Sequence, residues 1–244
     1  LWMFLWAALN ALFLSHDLYN LYVCLEIIGL AAVALVALPG GRDAVVAAMR
    51  YLLVSLAGSL CYLMGVALVY ARYSSVDLGA LAAQTTVEPA SYVALGLMSF
   101  GLLLKAAVFP LHFWLPPAHA HAPAPVSALL SALVVKASLF MLYRLWTQTF
   151  ADALPPFSGQ LLGVMACGAI LWGSVQALKQ ERLKMLVAYS TVAQIGYLVL
   201  ALAVFASGDR PLSAWTGGFY LIASHAFAKS AMFLAAGNLL HFGG

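Results

Sequence analysis

Long apolar runs, each cut short by proline or a small polar cluster, fill this chain from its first residue. A spanning helix needs roughly 20 apolar residues. On that measure the runs divide into a partial span at 1 to 15 and spans at 18 to 38, 44 to 71 and 92 to 109. A short apolar piece follows from 110 to 122, and further spans lie at 125 to 147, 159 to 178, 184 to 206 and 214 to 240. The runs are continuous and rich in Leu and Ala, unlike the roughly 10-residue alternations of barrel strands, so the pattern predicts an all-α, polytopic transmembrane helix bundle. Turn chemistry fits the gaps: PGGRD (Pro39 to Asp43) reads as a tight turn and DALPPFSG (Asp152 to Gly159) as a rigid loop. Residues 72 to 91 are more polar and read as a surface helix or loop.

Composition agrees with the pattern. The 244 residues are 65% hydrophobic and only 8% charged, with a mean hydropathy of +0.99, whereas a soluble domain keeps about 25% charged residues to cover its surface. The chain therefore reads as an integral, multi-pass membrane protein surrounded by lipid. A net charge of +3 without a basic patch gives no reason to expect a nucleic-acid partner. Cys24, Cys61 and Cys167 sit singly in apolar runs and read as small core residues, not a disulfide framework or a metal site. The chain opens on Leu1 within an apolar run, with no basic leader or cleavage site, which reads as a fragment rather than a signal peptide. Lys179, Arg182 and Lys184 cluster in one short loop, which the positive-inside rule puts on the cytoplasmic side. Arg42 joins them if 92 to 122 crosses as one broken unit, leaving Arg72 and Arg210 outside.

The charges inside the spans change the picture most. Glu26, Lys105, Lys136 and Lys229 fall near the middle of predicted spans, and His225 sits one helical turn before Lys229 on the same face. A charge at mid-membrane costs on the order of 2.5 to 3.5 kcal/mol on insertion scales, so such residues face a partner or water. Arg50, Arg144 and Lys184 stand nearer span ends, where a long side chain snorkels to the headgroups. Lys136 has too much span on either side for that. A static structural ion pair is the alternative reading for Glu26.

Pro110 removes a backbone donor and should break the helix that carries Lys105, placing Lys105 about one turn before the break. The freed carbonyls and partial negative charge of a half-helix C-terminus would favour its ammonium form, and broken helices at this depth line protein-buried or water-filled cavities. His112, His119 and His121 follow the break. His112, between Leu111 and Phe113, is the stronger proton-relay candidate. His119 and His121, flanked by prolines, fit ordinary loop positions at the membrane surface equally well. His16 and His241 lie at span ends and are assigned no role.

These residues resemble the antiporter-like, proton-pumping membrane subunits of respiratory complex I, a family shared with Mrp cation/proton antiporters and membrane-bound hydrogenases. The resemblance covers essentially the whole chain and is most specific in LLLKAAVFPLHFWLPPAHAHAPAPVSALLSALVVKAS (Leu102 to Ser138), LKMLVAYSTVAQIGYLVLAL (Leu183 to Leu202) and SHAFAKSAMFLAAGNL (Ser224 to Leu239). YNLYVCLEIIGLAAVALVAL (Tyr19 to Leu38) resembles the family's glutamate-bearing helix. The resemblance implies two inverted five-helix repeats, each with a discontinuous helix. Residues 1 to 147 would form the first repeat, broken near 92 to 122, and 159 to 244 an incomplete second one. It implies that Glu26 is the fifth-helix glutamate, Lys105 its ion-pair partner on the broken seventh helix, and Lys136 the central lysine on the eighth. His225 and Lys229 would be the histidine and lysine of the eleventh. The expected relay is thus Glu26, Lys105, Lys136, His112, His225 and Lys229, with Pro110 at the helix break. His121 departs from the pattern, standing where relatives often carry an acidic or polar residue. The family's first three helices and its twelfth, with the terminal exit residue, lie outside the stretch that matches.

The implied function is proton translocation through this Glu/Lys/Lys relay, within a redox-driven, complex I-like assembly. The chain would not be catalytic alone but a subunit of an NADH:quinone oxidoreductase-like or hydrogenase-type translocase. Its partners would be other membrane subunits, protons or Na+, and lipid. The setting would be a bacterial or archaeal cytoplasmic membrane, with an organelle inner membrane as the alternative. Cation (Na+)/proton antiport in an Mrp-type complex and a passive membrane scaffold remain open as rivals. A b-type haem protein is poorly supported, because His225 is the only histidine central to a span. No catalytic triad, phosphate loop or metal-ligand cluster is visible, so no cofactor is expected on this chain.

Overall fold

The computed structural model describes residues 1–207 and 212–242; Arg210 lies outside them. The described residues form helices and connecting turns, with one isolated bridge between Asp17 and Asp77. In chain order the helices are α1 (Trp2–Leu14), α2 (Leu18–Val36), α3 (Arg42–Tyr73), α4 (Leu78–Gln84), α5 (Pro89–Lys105) and α6 (Leu115–His121). They continue as α7 (Ala124–Thr149), α8 (Ser158–Leu178), α9 (Leu183–Ala206) and α10 (Leu212–Phe242). Six of these, α2, α3, α7, α8, α9 and the greater part of α10, are long and apolar enough to cross a membrane. α1 and α5 are shorter apolar helices, and α4 is the surface helix expected in the polar stretch.

Helix starts follow local chemistry. Asp17 and Asp77 cap α2 and α4, accepting from the backbone N–H groups of Asn20 and Ala80, each at 2.7 Å. The two caps are tied together: Leu18 N–H donates to the Val76 carbonyl at 2.8 Å and Leu78 N–H to the His16 carbonyl at 2.9 Å. Prolines occupy the first turns of α5, α6 and α7, where their missing N–H costs nothing.

α3 and α5 pack closely. A Cβ on Gly101 would stand 2.2 Å from the Gly58 carbonyl oxygen, and one on Gly58 would stand 2.8 Å from the Gly101 carbonyl, so the two backbones touch where only glycine fits. α2 lies against α3, which packs on α5, so the charged side chains of α2 and α5 meet, while α7 runs through the interior. Trp6, Leu53, Leu60, Val164, Leu171 and Phe227 point outward, as a surface in contact with lipid requires.

Arg50, His121, Lys179 and Arg182 line one open cavity of about 540 Å³, so the α8–α9 loop and the N-terminal part of α3 share one face. On the opposite face the Thr85 hydroxyl donates to the Thr149 carbonyl at 2.8 Å.

Several expectations are corrected. Arg144 does not snorkel: it is buried, its guanidinium donates to the Ser15 carbonyl and lies 5.7 Å from the Phe140 ring centre, because residues 15–17 cover that helix end. Lys184 is partly buried and donates to the Ala122 carbonyl at the end of α6. Of the cysteines only Cys24 is a core residue; Cys61 is half-buried and Cys167 is exposed.

Candidate functional site

The helix carrying Lys105 stops at Lys105 itself, earlier than Pro110 alone would stop it. Ala107 turns into the left-handed region at φ +55°. Its N–H then donates to the Leu104 carbonyl at 3.2 Å and that of Val108 to the Leu103 carbonyl at 3.1 Å, the pair of bonds that closes a Schellman cap. Trp114 adds a second donor to Leu104, Nε1 to O at 3.0 Å, and stacks on Tyr51 of α3 with ring centres 4.3 Å apart. The break is therefore a built, hydrogen-bonded terminus, with the Lys105 side chain leaving its last turn.

Lys105 is buried, and its Nζ lies 3.4 Å from Glu26 Oε1 on α2. Two serines one turn apart on α3 complete the pair. Lys105 Nζ donates to Ser55 Oγ at 2.9 Å, and Ser59 Oγ donates to Glu26 Oε1. Gly29 makes room for them, since a Cβ there would stand 2.8 Å from Ser55 Oγ and 3.6 Å from Lys105 Nζ. A small cavity of about 10 Å³ bounded by Gly29, Ser55, Lys105, Val134 and Ser138 carries the site on to α7, with room for about one water.

Lys136 is buried within α7, just past a π-helical turn at Leu130–Val134. Across that turn Val135 N–H reaches back to the Leu130 carbonyl. The Ser131 carbonyl is thereby released from its usual i−4 bond and accepts from Lys136 Nζ. Ser131 Oγ in turn lies 3.0 Å from Thr191 Oγ1 on α9. On α10, Lys229 is buried and donates to Ser190 Oγ of α9 at 2.6 Å, with Met232 Sδ at 3.8 Å. Lys229 lies within electrostatic reach of Lys136, and both act on His225 and His119.

The histidines separate into groups. His225 is buried beside this lysine cluster, and neither of its ring nitrogens has a protein partner. His119 is fully buried, stacked on Phe233 with ring centres 4.6 Å apart, and also without protein partners for its ring nitrogens. It is not the surface residue that its proline neighbours suggest, because those prolines start α6 and the helix turns His119 inward. Such imidazoles suit a transient partner, a proton or a water, better than a fixed bond. His112 is buried with its ring against Phe109, at 5.6 Å between centres; no hydrogen bond or ion pair among the described residues joins it to Glu26, Lys105 or Lys136. His121 is half-buried at the open cavity near Lys179.

The structure thus places the expected residues in two clusters: Glu26 with Lys105, and Lys136 with His225 and Lys229. Sequence reasoning missed Ser55, Ser59, Ser131, Ser190 and Thr191, and left His119 evenly balanced between relay and surface loop. The i, i+4 spacing of Ser55 and Ser59 was the available signal for the first two. Among the described residues no group of three His, Cys, Asp or Glu side chains could hold a metal ion.

Comparison with known proteins gives consistent results. The family model described as NADH:quinone oxidoreductase/Mrp antiporter, TM, matches residues 15–243. The chain is 42% identical over 238 residues to an NADH-quinone oxidoreductase subunit N of Desulforudis audaxviator, covering 96% of this chain and 46% of that protein. It is 29% identical over 237 residues to a Na(+)/H(+) antiporter subunit of Alkalihalophilus pseudofirmus, covering 96% and 47%. Its fold superimposes on a chain of the Mrp complex from Dietzia sp. with a TM-score of 0.88 at 30% identity, covering 97% of this chain and 44% of that one. On a chain of an archaeal membrane-bound sulfane sulfur reductase the TM-score is 0.90 at 32% identity, covering 97% and 48%. The chain spans about half the length of the relatives it matches.

Proposed function

The chain belongs to the NADH:quinone oxidoreductase/Mrp antiporter membrane family, and on that premise we propose that it moves protons across a membrane as part of a multi-subunit, complex I-like assembly. The observation that carries the proposal is the pairing of partly buried Glu26 with buried Lys105 at the helix break, followed along the bundle by Lys136 and Lys229. Four ionisable groups inside apolar helices are too costly to serve packing alone. Lys105 is the gated site: while Glu26 is near, its ammonium is held; when the pair opens, the proton is released to the next base. Lys136 is the central store, and Lys229 with His225 leads onward. His112, at the break, belongs to the route between the halves. Residues 1 to 147 form the first repeat in this reading, and residues 159 to 244 belong to the second.

Bacterial relatives support a cytoplasmic membrane, with other membrane subunits as partners. Na+/H+ antiport is the second reading, favoured by the similarity to the Alkalihalophilus antiporter protein and to the Mrp complex. The test is proton uptake by inside-out vesicles containing the full-length protein in its complex. Lys105→Ala is expected to abolish most of the uptake, and uptake that depends on a Na+ gradient would favour antiport. Unchanged flux in Lys105→Ala and Glu26→Ala would leave the charges as scaffold ion pairs.

A further inference from the structure

Ser190 and Thr191 are consecutive residues of α9, yet they serve different lysines. Ser190 Oγ accepts from Lys229 Nζ at 2.6 Å, while Thr191 Oγ1 meets Ser131 Oγ at 3.0 Å. Ser131 in turn supplies the carbonyl that holds Lys136. Both α9 hydroxyls also donate to one acceptor, the Val187 carbonyl, Ser190 at 2.8 Å and Thr191 at 3.0 Å. The Lys136 and Lys229 contacts therefore meet at a single backbone oxygen.

Back-bonding of this kind is ordinary for Ser and Thr in helices. What is not ordinary is that one of these hydroxyls is the hydroxyl ligand of a buried ammonium, with the Met232 thioether beside it.

We propose that Ser190 and Thr191 are positioning residues that couple the protonation of Lys136 to that of Lys229. The inference rests on the proton-translocation reading above. A hydroxyl accepts from an ammonium and donates to a free amine, so it fits both states of a lysine, as a methyl group cannot. When Lys229 is charged, Ser190 turns its lone pair to it and its own proton to Val187. When Lys229 is neutral, Ser190 can turn its proton to the amine and leave the Val187 carbonyl to Thr191 alone. Thr191 and Ser131, either of which can donate to the other, pass that change in hydrogen bonding to the carbonyl that holds Lys136. The other titratable groups facing this region are His119 from α6, Lys184 from α9 and His225 from α10; the hydroxyl pair lies between the two lysines.

The test measures proton uptake by vesicles carrying the full complex, per assembled complex, across pH. Thr191→Val keeps the shape and removes the hydroxyl; Ser190→Ala removes the acceptor for Lys229. Ser190→Ala is expected to lower uptake roughly tenfold, as loss of a hydrogen bond serving a charged group does, and Thr191→Val several-fold, as loss of a neutral one does, and both are expected to move the pH profile. Thr191→Ser and Ser190→Thr are expected to restore both. Should Thr191→Val disturb assembly, Ser190→Cys, which keeps the volume but bonds weakly, gives the same readout. If the Val, Ala and Cys variants keep the wild-type rate and profile while Lys136→Ala and Lys229→Ala abolish uptake, the hydroxyls are packing groups and the inference is overturned. If the two lysine variants themselves leave uptake intact, it is the translocation reading that fails.

Discussion

Glu26→Gln is the sharpest perturbation of the gate, because it removes a charge with almost no change of volume. At the observed 3.4 Å two unit charges interact by about 5 kcal/mol at an effective dielectric of 20. The Glu26 side chain is 19% exposed, so solvent screening brings the net loss to the lower side of the roughly 3 to 5 kcal/mol found when one partner of a buried pair is removed. Each 1.36 kcal/mol is tenfold. Even if only half of the loss falls on the loading step, uptake should drop to below about a tenth of wild type. Glu26→Asp retracts the carboxylate by about 1.5 Å, which at the same dielectric leaves about two thirds of the attraction, so it should keep an intermediate rate. Lys105→Met combined with Glu26→Gln should be no worse than Lys105→Met alone, since Glu26 acts through Lys105. The assay is quenching of a pH-sensitive dye in inside-out vesicles, normalised to assembled complex. Wild-type uptake in Glu26→Gln, or fully additive losses in the double variant, would refute the reasoning.

Three further outcomes follow from local geometry. Gly101→Ala puts a methyl 2.2 Å from the Gly58 carbonyl oxygen, so α3 and α5 must part; a loss of about 1 to 3 kcal/mol is expected, read as a lower unfolding temperature in detergent. Ala107→Gly relieves a left-handed alanine at φ +55°, worth about 1 kcal/mol before the entropy of the added glycine is subtracted, so thermal stability should hold or rise slightly whereas Ala107→Val lowers it. Outside the membrane, the Tyr73 hydroxyl and then Arg72 hold the Glu88 carboxyl below its ordinary value of 4.5. A lowered value in the folded state means stabilisation that is present above the ordinary value and lost as pH falls through the folded one. Protection of residues 74–88 against hydrogen exchange, taken relative to the intrinsic rate at each pH, should therefore fall below about pH 4.5, and Glu88→Gln should show the lower protection already at neutral pH and little further change on acidification.

What could be read from the sequence was what is expensive. An apolar run ends where polar backbone or charge must leave the membrane, so the expected span at 159 to 178 and the helix Ser158–Leu178 differ by a single residue. Glu26, Lys105, Lys136 and Lys229 stood out for the same reason: each costs several kcal/mol without a partner. Lys105 was misjudged relative to the break, because the residue that ends its helix is an alanine in a left-handed turn, which no composition rule marks. His119 stayed balanced between relay and loop because prolines that announce a loop also begin a helix.

The hydroxyls were illegible for a more general reason. A serine or threonine in a spanning helix can satisfy itself on its own carbonyls, so its presence costs little and signals nothing, whether or not it also holds a lysine. The same economy argues for their role. Glu26 and Lys105 are fixed by strong attraction, and a strong pair by itself would not let go; the 2.9 Å bond from Lys105 to Ser55 and the bond from Ser59 to Glu26 give each ion a second partner as the pair separates. Replacing Ser55 by Ala should therefore slow opening while leaving the ion pair in place, so that uptake falls but the assembled complex is no less stable. Equal losses of uptake and stability would assign Ser55 to packing instead.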